Sequence, residues 1–263
     1  MPPVAMCANI FDSHAHYDDE AFLPDQDQLL QQIHSQGIDC IINVGCSPKS
    51  CQTTLQLATK YDFVYAAVGI HPDCAPDVLG TNYLQNLADY ACHPKVVAIG
   101  EIGLDYHYTP ETKREQLEVF EQQMQLAEQL NLPVIIHSRE ATQDTLAVVK
   151  AHPKVHGVIH CFSGSAQTAQ EYIQMGWYIG FTGAITFKNN KKGPAAATVV
   201  PIDKLLIETD CPYMAPVPLR GKRCDSSMLP YTAQKLAEIK EITPQELILA
   251  TRQNACRLFG ISI

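Results

Sequence analysis

Eight short apolar, β-branched runs recur along the chain, and this rhythm constrains the fold more than any other feature. They are Asn9–Ser13, Cys40–Val44, Val64–Gly69, Val96–Ile99, Val134–His137, Gly157–Cys161, Tyr178–Thr182 and Leu205–Glu208. Most are continuously apolar, as parallel strands covered on both faces must be. Amphipathic segments of helical length separate them. Eight strand–helix units in 263 residues predict an α/β fold, the (β/α)8 or TIM barrel, as one domain over residues 1–263.

The helical segments carry their own signals. In Gln116–Asn131, Leu117, Phe120, Met124, Ala127 and Leu130 form one stripe. Thr109-Pro110-Glu111 reads as its capped start. Thr243-Pro244-Gln245-Glu246 is a capping box that opens the last helix. Leu247, Ile248, Thr251, Ala255 and Leu258 should face inward there, and Gly260 should end it. The long loop from Cys211 to Ser227 follows the eighth run, where barrels place substrate contacts.

Composition narrows the function. A net charge of −9 gives no general attraction to nucleic acid or anionic membrane, so a nucleic-acid substrate needs a local basic patch or a metal. No apolar run approaches the roughly 20 residues of a membrane span. Met1–Cys7 lacks the basic start and apolar stretch of a signal peptide. None of the ten cysteines forms Cys-x-x-Cys, which leaves reduced, mostly buried thiols and a cytoplasmic location as the expectation.

Metal-capable side chains sit at or just past the ends of five runs: His14 and His16, Glu101, His137, His160 and Asp210. Residues i and i+2 of a strand share a face, so His14 and His16 can bind one cation together. Gly100 and Gly103 flank Glu101 at the expected end of the fourth strand and permit close backbone approach. Imidazole and carboxylate without thiolate suit Zn²⁺, Mn²⁺, Ni²⁺ or Fe²⁺, and a carboxylate-rich position accepts Mg²⁺. Six ligands exceed what one tetrahedral ion with an open position can use. Two divalent cations per chain, about 3.5–4 Å apart and bridged by Glu101 and a water, fit better.

At these residues the sequence closely resembles the TatD family of metal-dependent deoxyribonucleases, in the amidohydrolase-like group of barrels. The matching stretches include Phe11-Asp12-Ser13-His14-Ala15-His16, Gly69-Ile70-His71-Pro72 and Gly100-Glu101-Ile102-Gly103-Leu104-Asp105-Tyr106. They continue through Pro133–Arg139, His160–Gly164, Glu208–Tyr213 and Arg220-Gly221-Lys222-Arg223. The resemblance implies a barrel, a divalent metal centre and phosphodiester hydrolysis, typically removal of nucleotides from DNA ends. It transfers the ligand roles onto the six residues above. One departure stands out: relatives often continue with Asn-Glu-Pro where this chain has Cys224-Asp225-Ser226.

The mechanism expected is metal-activated water, with Asp210 as general base and Glu101 as the bridging carboxylate. His71 and Arg139 are candidate phosphate contacts. Arg220, Lys222 and Arg223, with Lys188, Lys191 and Lys192, are candidate guides for a DNA backbone. Tyr106 and Tyr213 are candidate stacking surfaces. A monomer is expected, acting on DNA or another phosphodiester and on no membrane. The alternative is hydrolysis of an aminoacyl ester, lactone or amide at the same site; the absence of a strand-end lysine favours the nuclease branch.

Overall fold

The computed structural model describes residues 8–263, so the N-terminal stretch Met1–Cys7 lies outside the described residues. Each apolar run forms a strand: β1 (Ile10–Ala15), β2 (Ile38–Val44), β3 (Val64–Val68), β4 (Val96–Asp105), β5 (Val134–Arg139), β6 (Gly157–Ile159), β7 (Tyr178–Phe181) and β8 (Leu205–Ile207). They lie in sequence order in one eight-stranded sheet. The ends of the series meet: Ala15 bridges Cys211 in parallel, and the Ser13 hydroxyl donates to the Ile207 carbonyl at 3.1 Å. Helices alternate with the strands: α1 (Gln26–Ser35), α2 (Pro48–Lys60), the short α3 (Ala75–Val78), α4 (Tyr83–Ala91), α5 (Lys113–Leu130), α6 (Thr142–Ala151), α7 (Ala166–Gln174), α8 (Lys192–Val199), α9 (Leu229–Lys240) and α10 (Pro244–Phe259). This is the (β/α)8 TIM barrel. No helix of the described residues is long and apolar enough to cross a membrane.

Packing divides the chain into two compact units. One holds the described residues up to Ile42, Cys161–Arg257 and Ile261–Ile263. In it β7 and β8 pair in register, Ile179 beside Leu205 and Phe181 beside Ile207. The other holds Asn43–His160 and Leu258–Gly260. There β4 corrects the sequence reading, because Glu101 does not end the strand. β4 runs on to Asp105, and three steps from Ile99 to Ile102 span only two on β5, from Val134 to Ile136. Such an irregularity re-aims a side chain without ending the pairing. The Gly100–Glu101 peptide in it is cis.

Helix α5 departs from its predicted stripe. Phe120, Met124 and Ala127 are buried, but Leu117 and Leu130 are only half-buried, and Gln116 and Gln123 lie fully inside. Each glutamine amide bonds the backbone of a residue at or just past the carboxyl end of a strand. Gln123 accepts from the Ile70 N–H (2.7 Å) and donates to its carbonyl (3.0 Å). Gln116 does the same for Asp105, at 2.8 and 3.0 Å. Thr109 makes no capping bond; its hydroxyl accepts from Gln116 at 2.9 Å, and a 3-10 turn, Pro110–Thr112, leads into the helix. The last helix forms as read: Glu246 N–H donates to the Thr243 hydroxyl (3.2 Å), the Glu246 carboxylate receives Thr243 N–H (2.8 Å), and all five predicted inward residues are buried.

The two glutamines make a stability prediction. Gln123→Leu keeps the bulk but strands the buried N–H and carbonyl of Ile70, and should cost about 2–3 kcal/mol. Exposed Gln125→Leu on the same helix should stay within about 0.5 kcal/mol of the parent. Urea unfolding midpoints compare the two; equal shifts would refute the role given to Gln123.

Candidate metal centre

In the first unit, β1 delivers a histidine pair. The Nε2 atoms of His14 and His16 face each other at 3.0 Å. Asp210 Oδ1 lies 3.8 Å from the first and 3.5 Å from the second. Asp210 sits in the left-handed region (φ 58°), and its N–H donates to the His14 carbonyl at 2.9 Å. The backbone that closes β8 onto β1 thus aims this carboxylate at the imidazoles.

Two buried carboxylates that the sequence reading missed brace this group. Asp12 accepts from the N–H of Thr209 (3.0 Å) and the hydroxyls of Thr209 and Ser226 (2.7 Å each), with a longer contact from His14 N–H at 3.3 Å. Burial raises its pKa to about 6 against the lowering effect of these bonds. Glu208 receives the Cys161 N–H and, at 3.3 Å, the Ser13 hydroxyl. It fits because Gly180 has no Cβ; one added there would stand 2.4 Å from a Glu208 oxygen. The departure segment acts here too. Ser226 Oγ and N–H both meet the Tyr17 hydroxyl, at 2.7 and 2.9 Å. The side chain of Asp225 caps the following turn through Ser227 N–H at 2.9 Å.

In the second unit, three donor atoms surround one point. Glu101 Oε1 lies 2.7 Å from His160 Nε2 and 2.9 Å from His137 Nδ1. The two imidazole nitrogens are 3.3 Å apart. His71 Nε2 stands 3.8 Å from the same oxygen, while its Nδ1 accepts from Asp73 N–H at 3.3 Å. The thiol of Cys46 donates to Glu101 Oε2 at 3.4 Å. Close backbone approach is real at both glycines. A Cβ on Gly100 would sit 2.7 Å from Ile135 Cβ, and one on Gly103 (φ 136°) would sit 2.0 Å from the His137 carbonyl oxygen.

Asp105, also missed, orients His137. Its Oδ2 takes the Nε2–H of His137 at 3.0 Å, and its Oδ1 takes the N–H groups of His107 and Tyr108 at 2.9 Å each. Burial pushes the carboxyl up, yet the His137 and backbone bonds outweigh it and hold it at about 2. For His137, burial works against the proton, but Asp105 and Glu101 overcome it and lift the imidazole to about 9. A signal was available in an acid four residues after Glu101 on one strand.

These donor sets fit divalent cations. Ligands about 2.1 Å from one ion, at octahedral or tetrahedral angles, stand roughly 3.0–3.4 Å apart. The separations of His14 from His16 and of His137 from His160 meet that directly, and those around Asp210 are slightly wider. With Nε2–H committed to Asp105, His137 presents the Nδ1 lone pair, which is how a carboxylate fixes a metal-binding tautomer.

Several expected substrate groups have other duties. Arg223 does not serve as an open cation: it grips Asp25 with both guanidinium nitrogens (2.7 and 2.6 Å) and covers the Phe22 ring. The Tyr106 hydroxyl donates to Asp144 at 2.7 Å, and Lys113 lies over its ring, so it is a packed rim aromatic. Arg139 stacks over Tyr108 and Arg220 over Phe187, at 4.5 and 3.8 Å from the ring centres. Stacking occupies the guanidinium face and leaves its donor edge for a phosphate. Lys222, Lys188, Lys191 and Lys192 are exposed. The nine described cysteines form no disulfide, and four of them are fully buried.

The Asp105–His137 pair sets a pH dependence. In the metal-free chain, the stabilisation from the His137 proton is complete below about 6.5 and lost as pH rises through about 9. Ionised Asp105 stabilises above about 3.8, and that share is lost as pH falls through about 2. A cation held through His137 Nδ1 would displace that proton, so its uptake at pH 7 should release protons and tighten with pH up to about 9. Asp105→Asn should release fewer protons and bind metal about 10–100-fold more weakly above that pH. Calorimetry in buffers of different ionisation enthalpy measures both; proton-neutral uptake by the parent chain would contradict the assignment.

Comparison with known proteins agrees with this chemistry. Residues 11–260 match the family model described as TatD related DNase. The chain is 42% identical over 255 residues to the uncharacterized metal-dependent hydrolase YabD of Bacillus subtilis, covering 96% of this chain and all of that one. It is 33% identical to the 3'-5' ssDNA/RNA exonuclease TatD of Citrobacter rodentium, over 97% of this chain and 99% of that one. The crystal structure of YjjV, a TatD homologue from Escherichia coli, superposes with a TM-score of 0.89 at 32% identity, over 97% and 99% of the two chains. With its barrel and its imidazole–carboxylate clusters, the chain belongs to the TatD related DNase family of metal-dependent hydrolases.

Proposed function

We propose that this hydrolase cleaves phosphodiester bonds at DNA ends, with residues 1–263 as one catalytic domain. The reading is carried by a complete ligand set inside a family match that spans residues 11–260. His14, His16 and Asp210 would hold one divalent cation, and Glu101, His137 and His160 would hold a second. The donor chemistry suits Zn²⁺, Mn²⁺, Ni²⁺ or Mg²⁺. Cations held there would supply Lewis-acid polarisation of the phosphoryl oxygen and a lowered water pKa. Asp210 takes the proton of the attacking water, held in place by its N–H bond to His14. Glu101 keeps His137 and His160 turned to one point. His71 and Arg139 orient the phosphate, and exposed Arg220 and Lys222 draw in the strand despite the acidic total. The chain works as a monomer in the cytoplasm.

Asp210→Asn should retain much of the metal yet lose at least about 100-fold in kcat. A loss of only a few-fold would remove Asp210 from the role of base. Metal-reconstituted enzyme should hydrolyse DNA ahead of RNA, aminoacyl-tRNA, lactones and amides, and chelation should abolish the activity. Turnover of a lactone or amide without any phosphodiester hydrolysis would overturn the proposal.

The cationic loop has a separate test. Replacing Arg220 and Lys222 with Ala should raise KM for an oligonucleotide more than it lowers kcat. It should also flatten the salt dependence of binding by about two counterions. A small phosphodiester should be hydrolysed as before. Parallel losses on both substrates would place the loop's role in supporting the metal ligands.

A further inference from the structure

An open cleft of about 830 Å³ in the first unit is lined by Asp19, Leu23, Pro24, Pro212, Tyr213 and Arg223, among others. That size is within the roughly 300–1,000 Å³ of small-molecule sites. Two of its lining residues are bonded to proposed metal ligands. Asp19 N–H donates to the His16 carbonyl, and Tyr213 N–H donates to the Asp210 carbonyl, both at 3.0 Å. Two turns leaving the same imidazole–carboxylate group therefore flank the cleft.

Its surface is unusual for this protein. Tyr213 and Leu23 are 58% and 69% exposed, among the most exposed large apolar side chains described. Two prolines add rigid apolar faces. The cation that lines the cleft, Arg223, is bound by Asp25 and the Ala21 carbonyl. The carboxylates of Asp19 and Glu20 remain on the rim. Asp19 uses Oδ1 to cap Ala21 N–H at 2.8 Å and turns Oδ2 toward the Tyr213 hydroxyl at 3.5 Å. A phosphate is repelled by such a rim. A flat ring with N–H donors on its edge is complementary to it, because aromatic side chains stack on any base and carboxylates accept from exocyclic amines.

We infer that this cleft is a nucleobase subsite for the nucleotide being cleaved, stacking the base on Tyr213 and preferring adenine or cytosine over thymine through Asp19. Thymine presents two carbonyl oxygens beside its N–H, and these face the carboxylate unfavourably. The subsite rests on the phosphodiesterase reading, since it gives the base of that same substrate a place beside Asp210.

Nucleosides carry no phosphodiester, so they test the subsite apart from catalysis. Protein labelled with 3-fluorotyrosine would be titrated with adenosine, cytidine and thymidine, with the Tyr213 resonance assigned by its loss in Tyr213→Phe. Adenosine and cytidine should shift that resonance, and thymidine should bind at least about fivefold more weakly, as a poorer hydrogen-bond match predicts. Tyr213→Ala should raise KM for oligonucleotides about tenfold, the loss of one stacking contact, with kcat largely kept. Asp19→Asn should erase the preference among bases, and Leu23→Ser should weaken all three nucleosides with the Tyr213 wall intact. A Tyr213 resonance indifferent to every nucleoside, or a preference unchanged in Asp19→Asn, would overturn the subsite. Nucleoside binding without DNA hydrolysis would instead fault the reaction assigned above while the subsite stands.

Discussion

A single buried carboxylate, Asp12, fastens the first strand of the barrel to the last. It receives the Thr209 N–H, the Thr209 hydroxyl and the Ser226 hydroxyl. Thr209 lies between Glu208 and Asp210, so this one group fixes the stretch that carries the proposed base. It also reaches back to the N–H of His14. A barrel needs a seam where the sheet closes, and seams made of backbone bonds alone are indifferent to side-chain position. Here side chains join the backbone bonds of the seam, and closure and ligand placement are the same event. Its ordinary cost, a carboxylate out of water, is offset only in part by four donors, and burial still lifts the pKa to about 6.

The second unit solves the same problem differently. Three imidazoles gather near one oxygen of Glu101, and an irregular step in β4 turns that oxygen toward them. Asp105 then decides which nitrogen of His137 is offered. Both arrangements place carboxylates behind histidines. The negative charge around these clusters suits cations.

Much of this was legible in the sequence. All eight runs became strands because continuous apolar, β-branched stretches have few other folded uses. The six ligand candidates were visible because histidine and carboxylate at strand ends are out of place in a core. What could not be read were residues whose meaning depends on a distant partner. Gln116 and Gln123 look like solvent-facing helix residues until Asp105 and Ile70 are seen opposite them. Asp12 looks like part of a motif until Thr209 and Ser226 arrive from 197 and 214 residues away. Arg223 looked like a spare charge because nothing local reveals Asp25. Polar side chains pair by three-dimensional proximity, and periodicity records only which side of an element is apolar.

The link from Ser226 to Asp12 also bears on how such an enzyme diversifies. The loop that carries Tyr213, Arg220 and Lys222 ends at a hydroxyl bonded to the carboxylate that sets the ligand strands. Mutational drift between Tyr213 and Lys222 can alter which molecules are admitted without disturbing that bond. A substitution at Ser226 removes that bond. The tether belongs to this chain: relatives often carry proline where Ser226 stands, and proline has no hydroxyl to offer the Asp12 carboxylate, so the last turn of this loop is held by a bond that the resemblance did not carry with it.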